Sequence, residues 1–195
     1  MEGSRGLGDV YKRQGNGGTQ SSSVVVEGYR QLLGVTVDGY IRGAEIFIDQ
    51  NNNYQLDAIE NSFTSNNNGE FALRYYDGTL ISKGGIDLDT GTPLDNLILV
   101  HKMNGFSDFN VISPISSVSS FLQNPENINL YLGIDQEIDI NTVDPVLNKG
   151  DGSIYDYLYE KNNQLTIIAL SLSKLIKHLF ETNSDETVEI TTRAV

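Results

Sequence analysis

Glycine follows a turn-forming residue repeatedly in the first half of this chain, and that punctuation limits what the half can become. Asp38-Gly39, Arg42-Gly43, Asn68-Gly69, Asp77-Gly78, Gly84-Gly85 and Asn104-Gly105 leave short runs between them, and short alternating runs bounded by such pairs are strands joined by tight turns. "VTVDGYI" alternates. "AEIFID" places Ala44, Ile46 and Ile48 on one face, and "EFALRYY" does the same for Phe71, Leu73 and Tyr75, the period-2 pattern of a half-buried strand. An antiparallel β-sandwich of immunoglobulin or transthyretin-like type is therefore predicted over residues 34–110.

The texture changes near Ser113. Ser113-Pro114 reads as an N-cap with proline at the first helical position, opening "PISSVSSFLQ", and Asn124-Pro125 repeats the signature before "PENINLYL" and a stop at Gly133. Ser153 caps "IYDYLYEK". In "NQLTIIALSLSKLIKHLFE", Leu165, Ile168, Leu172, Leu175, Ile176 and Leu179 follow the spacing of one helical face, which predicts a packing helix. Lys174, Lys177 and His178 interrupt it well short of the roughly 20 apolar residues that a membrane span needs. The predicted class is α+β, with a small helical region over 111–183 behind the sandwich.

At 195 residues and 38% hydrophobic content the chain can bury a core of its own. Its 26 acidic and 13 basic side chains give a net charge of −13, which opposes nucleic acid and anionic membranes and favours cations. Cysteine is absent, so no disulfide, thiolate metal site or cysteine nucleophile exists. Residues 9–14, "DVYKRQ", are what the codons of a transposase-type sequencing adapter encode, so residues 1–14 are expected to be foreign and the true start to lie upstream. Residues 15–33, opening with "GNGGTQSSS", read as a flexible linker of the kind that follows a lipoprotein cysteine. Residues 184–195 are expected to be a truncated tail, since "TVEITTRAV" carries no stop signal.

The most specific stretch is "DQNNNYQLDAIE", residues 49–60. Calcium takes six to eight oxygen ligands, and a twelve-residue loop supplies them at positions 1, 3, 5, 7, 9 and 12. Those positions hold Asp49, Asn51, Asn53, the Gln55 carbonyl, Asp57 and Glu60, and the aliphatic anchor expected at position 8 is Leu56. One position departs. Glycine is expected at position 6 and Tyr54 stands there, so either the loop bends differently or affinity falls, because a left-handed tyrosine costs about 1–2 kcal/mol. Read blandly, the stretch is an asparagine-rich turn. A second acidic pair, Asp87 and Asp89 in "GGIDLDTG", is read as a solvated turn rather than a site.

Taken with "SKGGIDLDTGTPL", "VISPISSVSSFL", "YLGID" and "YDYLYEKNNQLTIIAL", the stretch from Val37 to Leu73 resembles a module of large secreted or surface-anchored bacterial adhesin-type proteins. It also resembles calcium-binding B-type repeats and carboxypeptidase-regulatory-like sandwiches. The resemblance implies a non-catalytic, calcium-stabilised structural and adhesive module, extracellular or on the cell surface, with Ca2+ in the loop. The alternative is a glycan-binding accessory module of a secreted hydrolase, with Tyr75-Tyr76 or the Tyr155, Tyr157 and Tyr159 set as a platform. Calcium, a glycan or another surface protein are the partners expected; nucleic acid is not. No enzyme motif is recognisable: His101 and His178 lie in no ligand-spaced or triad-like pattern, and a structural role is expected of both.

Overall fold

A computed structural model of the chain describes residues 25–26, 29–147, 149–150 and 152–181. The readings of residues 1–14 as adapter, of 15–24 as linker and of 184–195 as tail fall outside them. Ten strands come first: β1 (Val25–Val26), β2 (Tyr29–Thr36), β3 (Ile41–Arg42), β4 (Glu45–Asp49), β5 (Ser62–Thr64), β6 (Glu70–Arg74), β7 (Thr79–Lys83), β8 (Ile86–Asp87), β9 (Ile98–Lys102) and β10 (Phe109–Ile112). Helices α1 (Pro114–Phe121), α2 (Ile128–Leu132) and α3 (Ile154–Ile176) follow, and a π-helical turn, Lys177–Glu181, continues α3. The fold is α+β with sandwich-like antiparallel sheets.

Two four-stranded sheets face each other. One runs β5-β4-β7-β9, all antiparallel; in the other, β2 pairs with β1, β6 and β10. Ile46, Ile48, Leu80 and Leu99 project from the first sheet against Leu32, Phe71, Leu73 and Ile112 from the second, and all are buried in one core cluster. Alternation does the sorting. On the far side of the first sheet Phe47, Ile81, Ile98 and Val100 meet Ile176 and Phe180, and on the far side of the second Val35 and Val111 meet Val146 and Tyr159. Four details differ from the reading of the sequence. Residues 29–33, expected in the linker, form the first half of β2, and residues 111–112, expected in the helical region, complete β10. β10 pairs with β2 in parallel, Asn110 beside Gly34, because the chain crosses from one sheet to the other between β9 and β10. The two helical runs on either side of Asn162 are one helix.

That continuity has a physical cause. Asn162 is fully buried, and its Oδ1 accepts from the Ile115 backbone N–H at the start of α1, so an amide that weakens a solvated helix here holds two helices together. The buried face of α3 agrees with expectation at Ile176 and differs elsewhere. Leu158, Asn162, Ala169, Ser173 and Ile176 are buried, whereas Ile168, Leu175 and Leu179 are 47–50% exposed. Small residues win the contact face because α3 lies directly on strand backbone.

β9 is the end strand of its sheet, and its outward N–H groups need partners. Serine supplies them. The Ile98 N–H donates to Ser173 Oγ at 2.8 Å, the Val100 N–H to Ser117 Oγ at 2.9 Å and the Lys102 N–H to Ser120 Oγ at 3.0 Å. Ser116 Oγ donates to the Val100 carbonyl at 3.0 Å. The polar "SSVSS" run of α1 is therefore almost wholly buried. α1 starts on the Ser113–Ser116 capping box, and α2 ends at Gly133, whose φ of 68° suits glycine at a helix terminus.

Candidate metal centre

Asp49 ends β4, and the chain needs twelve residues to return as β5. Within that connection Asp49, Asn51, Asn53, Gln55, Asp57 and Glu60 all lie in one turn system. Asp49 is completely buried. Its Oδ2 accepts from the Tyr54 N–H at 2.8 Å and its Oδ1 from those of Asn51 at 3.2 Å and Asn53 at 3.3 Å. Asn51 Oδ1 accepts from the Asn53 N–H and Asn53 Oδ1 from that of Gln55, so both amide oxygens turn to the inside of the coil. Gly78 makes room for the loop's start: a Cβ there would stand 2.5 Å from the Asp49 carbonyl oxygen.

Tyr54 bends as the missing glycine would. Its φ is 56°, and Asn52 beside it stands at 60°, so the loop does not take a different route. The strain belongs to the folded chain itself, and ring contacts offset it: Tyr54 lies 5.0 Å from the centroid of Phe180 and 6.2 Å from that of Phe121. Strain already present in the fold is not subtracted from a ligand's affinity. Burial and the Asp49 charge raise the Tyr54 phenol above its ordinary pKa. Gln55 Nε2 donates to the Phe180 carbonyl at 2.8 Å, which ties the loop to the turn that ends α3.

The remaining carboxylates are engaged with the loop. Asp57 Oδ2 accepts from the side-chain amides of Asn51 at 2.6 Å and Asn53 at 3.1 Å, while Glu60 accepts from the Gln50 N–H through Oε1 and the Asp57 N–H through Oε2. Among the described residues no group of three or more His, Asp or Glu side chains is arranged to hold a metal ion by itself. The donor chemistry nonetheless fits a hard cation. Every ligand position carries oxygen, and among the described residues Asp49, Asp57 and Glu60 have no basic side chain as partner, which leaves three carboxylates without a countercharge. Asp49, Asn53 and Glu60 would hold an ion, with Asp57 exchanging its amide partners for it; calcium would supply the missing positive charge.

Asp87 and Asp89 behave as a turn. Asp87 accepts from the Asp89 N–H at 2.9 Å and the Thr90 hydroxyl at 2.6 Å, and Asp89 is held by Lys149 and Tyr159. Those contacts hold the Asp89 carboxyl below its usual range even though burial opposes them. Burial has the opposite outcome at Asp38, which is raised to about 6 by desolvation although the Thr166 hydroxyl donates to it, with the Asp87 charge adding to the rise. His101 is buried, its Nδ1 lies 3.0 Å from the Val111 carbonyl, and burial pushes its pKa down. It joins β9 to β10. No protein-family model, curated protein or solved structure matches the chain, and no helix among the described residues is long and apolar enough to cross a membrane.

Proposed function

We propose that the chain is a non-catalytic, calcium-stabilised structural and adhesive module of an exported bacterial surface protein or lipoprotein. One observation carries the calcium part: a fully buried Asp49 carboxylate, cradled by three backbone N–H groups and without a basic partner among the described residues, stands at the head of six oxygen-bearing positions in one turn. A buried charge needs either a countercharge or full hydrogen bonding. A cation bound only by the folded form would stabilise it by mass action. The bacterial surface setting rests on the sequence resemblance alone. Terbium, a calcium surrogate excited through Tyr54, tests the site. Emission that millimolar calcium reverses and Glu60→Gln abolishes supports the reading; emission indifferent to both refutes it.

The glycan-module alternative needs rings other than Tyr75, Tyr157 and Tyr159. Tyr75 gives its hydroxyl to Asp77 and meets Phe106 edge-on at 5.1 Å. Tyr157 and Tyr159 pack against core clusters and each carries a lysine over its ring, Lys161 at 5.0 Å and Lys149 at 4.9 Å from the centroid, so neither presents a free face.

A further inference from the structure

We propose that Arg74, with Tyr29, Tyr76 and Gln31, forms a binding site for an oligosaccharide that carries a single carboxylate. The site occupies the end of the outer face of the β2–β6 pair that the other described residues leave uncovered. Arg74 is directly opposite Gln31 in the antiparallel register, and its guanidinium lies over the Tyr29 ring and 5.1 Å from the centroid of Tyr76. Tyr76 also packs against the main core, so one wall of the site is fixed. Farther along, the same outer face is covered by Val146, Phe109 and Tyr159. At this end Tyr29 is 48% exposed and Gln31 is exposed.

What singles out Arg74 among the described arginines is a buried donor without an acceptor. The chain holds 26 carboxylates, yet among the described residues no hydrogen bond or ion pair reaches this guanidinium, and its buried Nε has no partner. Guanidinium carries five donors in one plane. The Tyr29 and Tyr76 rings flank it, and the terminal nitrogens, unlike Nε, are not buried without a partner; a guanidinium so placed can accept a carboxylate two-pronged. Tyrosine rings suit the C–H faces of a sugar, and the Gln31 amide suits its hydroxyls. Charge selects among the acids. At a net −13 the chain repels polyanions, and the ring-flanked guanidinium of Arg74 satisfies one carboxylate, so a polyanionic peptide or a polyuronate fits less well than a neutral glycan with one acidic residue.

The inference is independent of the calcium loop, and its test does not read that loop. Calorimetric titration of the intact chain with 3′-sialyllactose, lactose, sodium acetate and an acetylated glutamate peptide separates the ligand sources. Sialyllactose is expected to bind about tenfold or more tightly than each of the other three, and Arg74→Lys, which keeps charge but not the planar fork, to lose about tenfold in affinity. Tyr29→Ala is expected to weaken binding as well, at an unchanged thermal midpoint. The Arg74 side-chain NMR resonances of the unmutated protein report contact even if a variant misfolds. Equal or absent binding of sialyllactose and lactose, resonances that do not move, or a peptide bound as tightly as the sugar would overturn the proposal.

Discussion

The loop from Asp49 to Glu60 and the outer edge of β9 solve one problem by opposite routes. Both hold buried backbone N–H groups that strand pairing leaves over. In the loop, the acceptors are side chains at most ten residues away, as when Asp49 takes the Tyr54 N–H and Glu60 that of Gln50. At β9 the acceptors are serines from two helices, and Ser173 comes from 75 positions downstream. Local satisfaction lets the loop's hydrogen bonds form without the helices, and in the proposed reading such bonds are exchanged for a cation. Distant satisfaction makes β9 the fastening between sheet and helices.

The largest expected effect tests that fastening. Replacing both Ser117 and Ser173 by Ala leaves two buried N–H groups without acceptors, and at about 1–3 kcal/mol each the pair should cost about 4 kcal/mol in urea unfolding. A cost below about 1 kcal/mol would mean that the helices are held by apolar contact alone. Either single substitution should cost about half.

Carboxylates divide in the same way. Asp49 receives three backbone donors, whereas the side-chain donor that lowers Asp38 is the Thr166 hydroxyl alone, and burial carries its pKa from 3.8 to about 6. A raised folded-state pKa contributes stability that is fully present below the unfolded value of 3.8 and is lost as pH rises through 6. Asp38→Asn should therefore stabilise the protein by about 2–3 kcal/mol at pH 7.5 and by almost nothing at pH 3, as read from paired denaturation curves. Equal effects at both pH values would show that the buried charge is not what costs.

Tyr54 isolates the loop's own strain. Tyr54→Ala and Tyr54→Gly remove the same ring contacts with Phe121 and Phe180, but only glycine relieves a φ of 56°. The glycine variant should be the more stable by about 1.5 kcal/mol, and calcium affinity should be alike in the two.

How much of this was legible follows the same division. X-Gly turns and alternation revealed the strands, and Ser113-Pro114 revealed α1, because turns and caps are decided within a few residues. The oxygen spacing of 49–60 is equally local, and the left-handed bend needed at Tyr54 was readable from the absent glycine. Long-range choices were not. Nothing in "SSVSS" announces that its hydroxyls line a strand edge, since the strand lies before α1 and beyond a crossing. The largest side chains of α3 suggested the buried face; Ile176 is on it, but Ala169 and Ser173 take the positions between, because contact with strand backbone favours small residues there. Arg74 gave no sign of its neighbours, as Tyr29 lies in a stretch that composition assigned to a linker.

Calcium-dependent thermal unfolding tests the central claim most directly. For a site of millimolar Kd, calcium at five times Kd contributes about 1.1 kcal/mol, which raises the midpoint of a domain this size by about 2–4 °C. Glu60→Gln should remove most of that rise, and magnesium, which demands tighter octahedral geometry, should produce less of it. A midpoint that stays where it was in 5 mM calcium, about five times such a Kd, would contradict the account and leave residues 49–60 an asparagine-rich turn closed on its own hydrogen bonds.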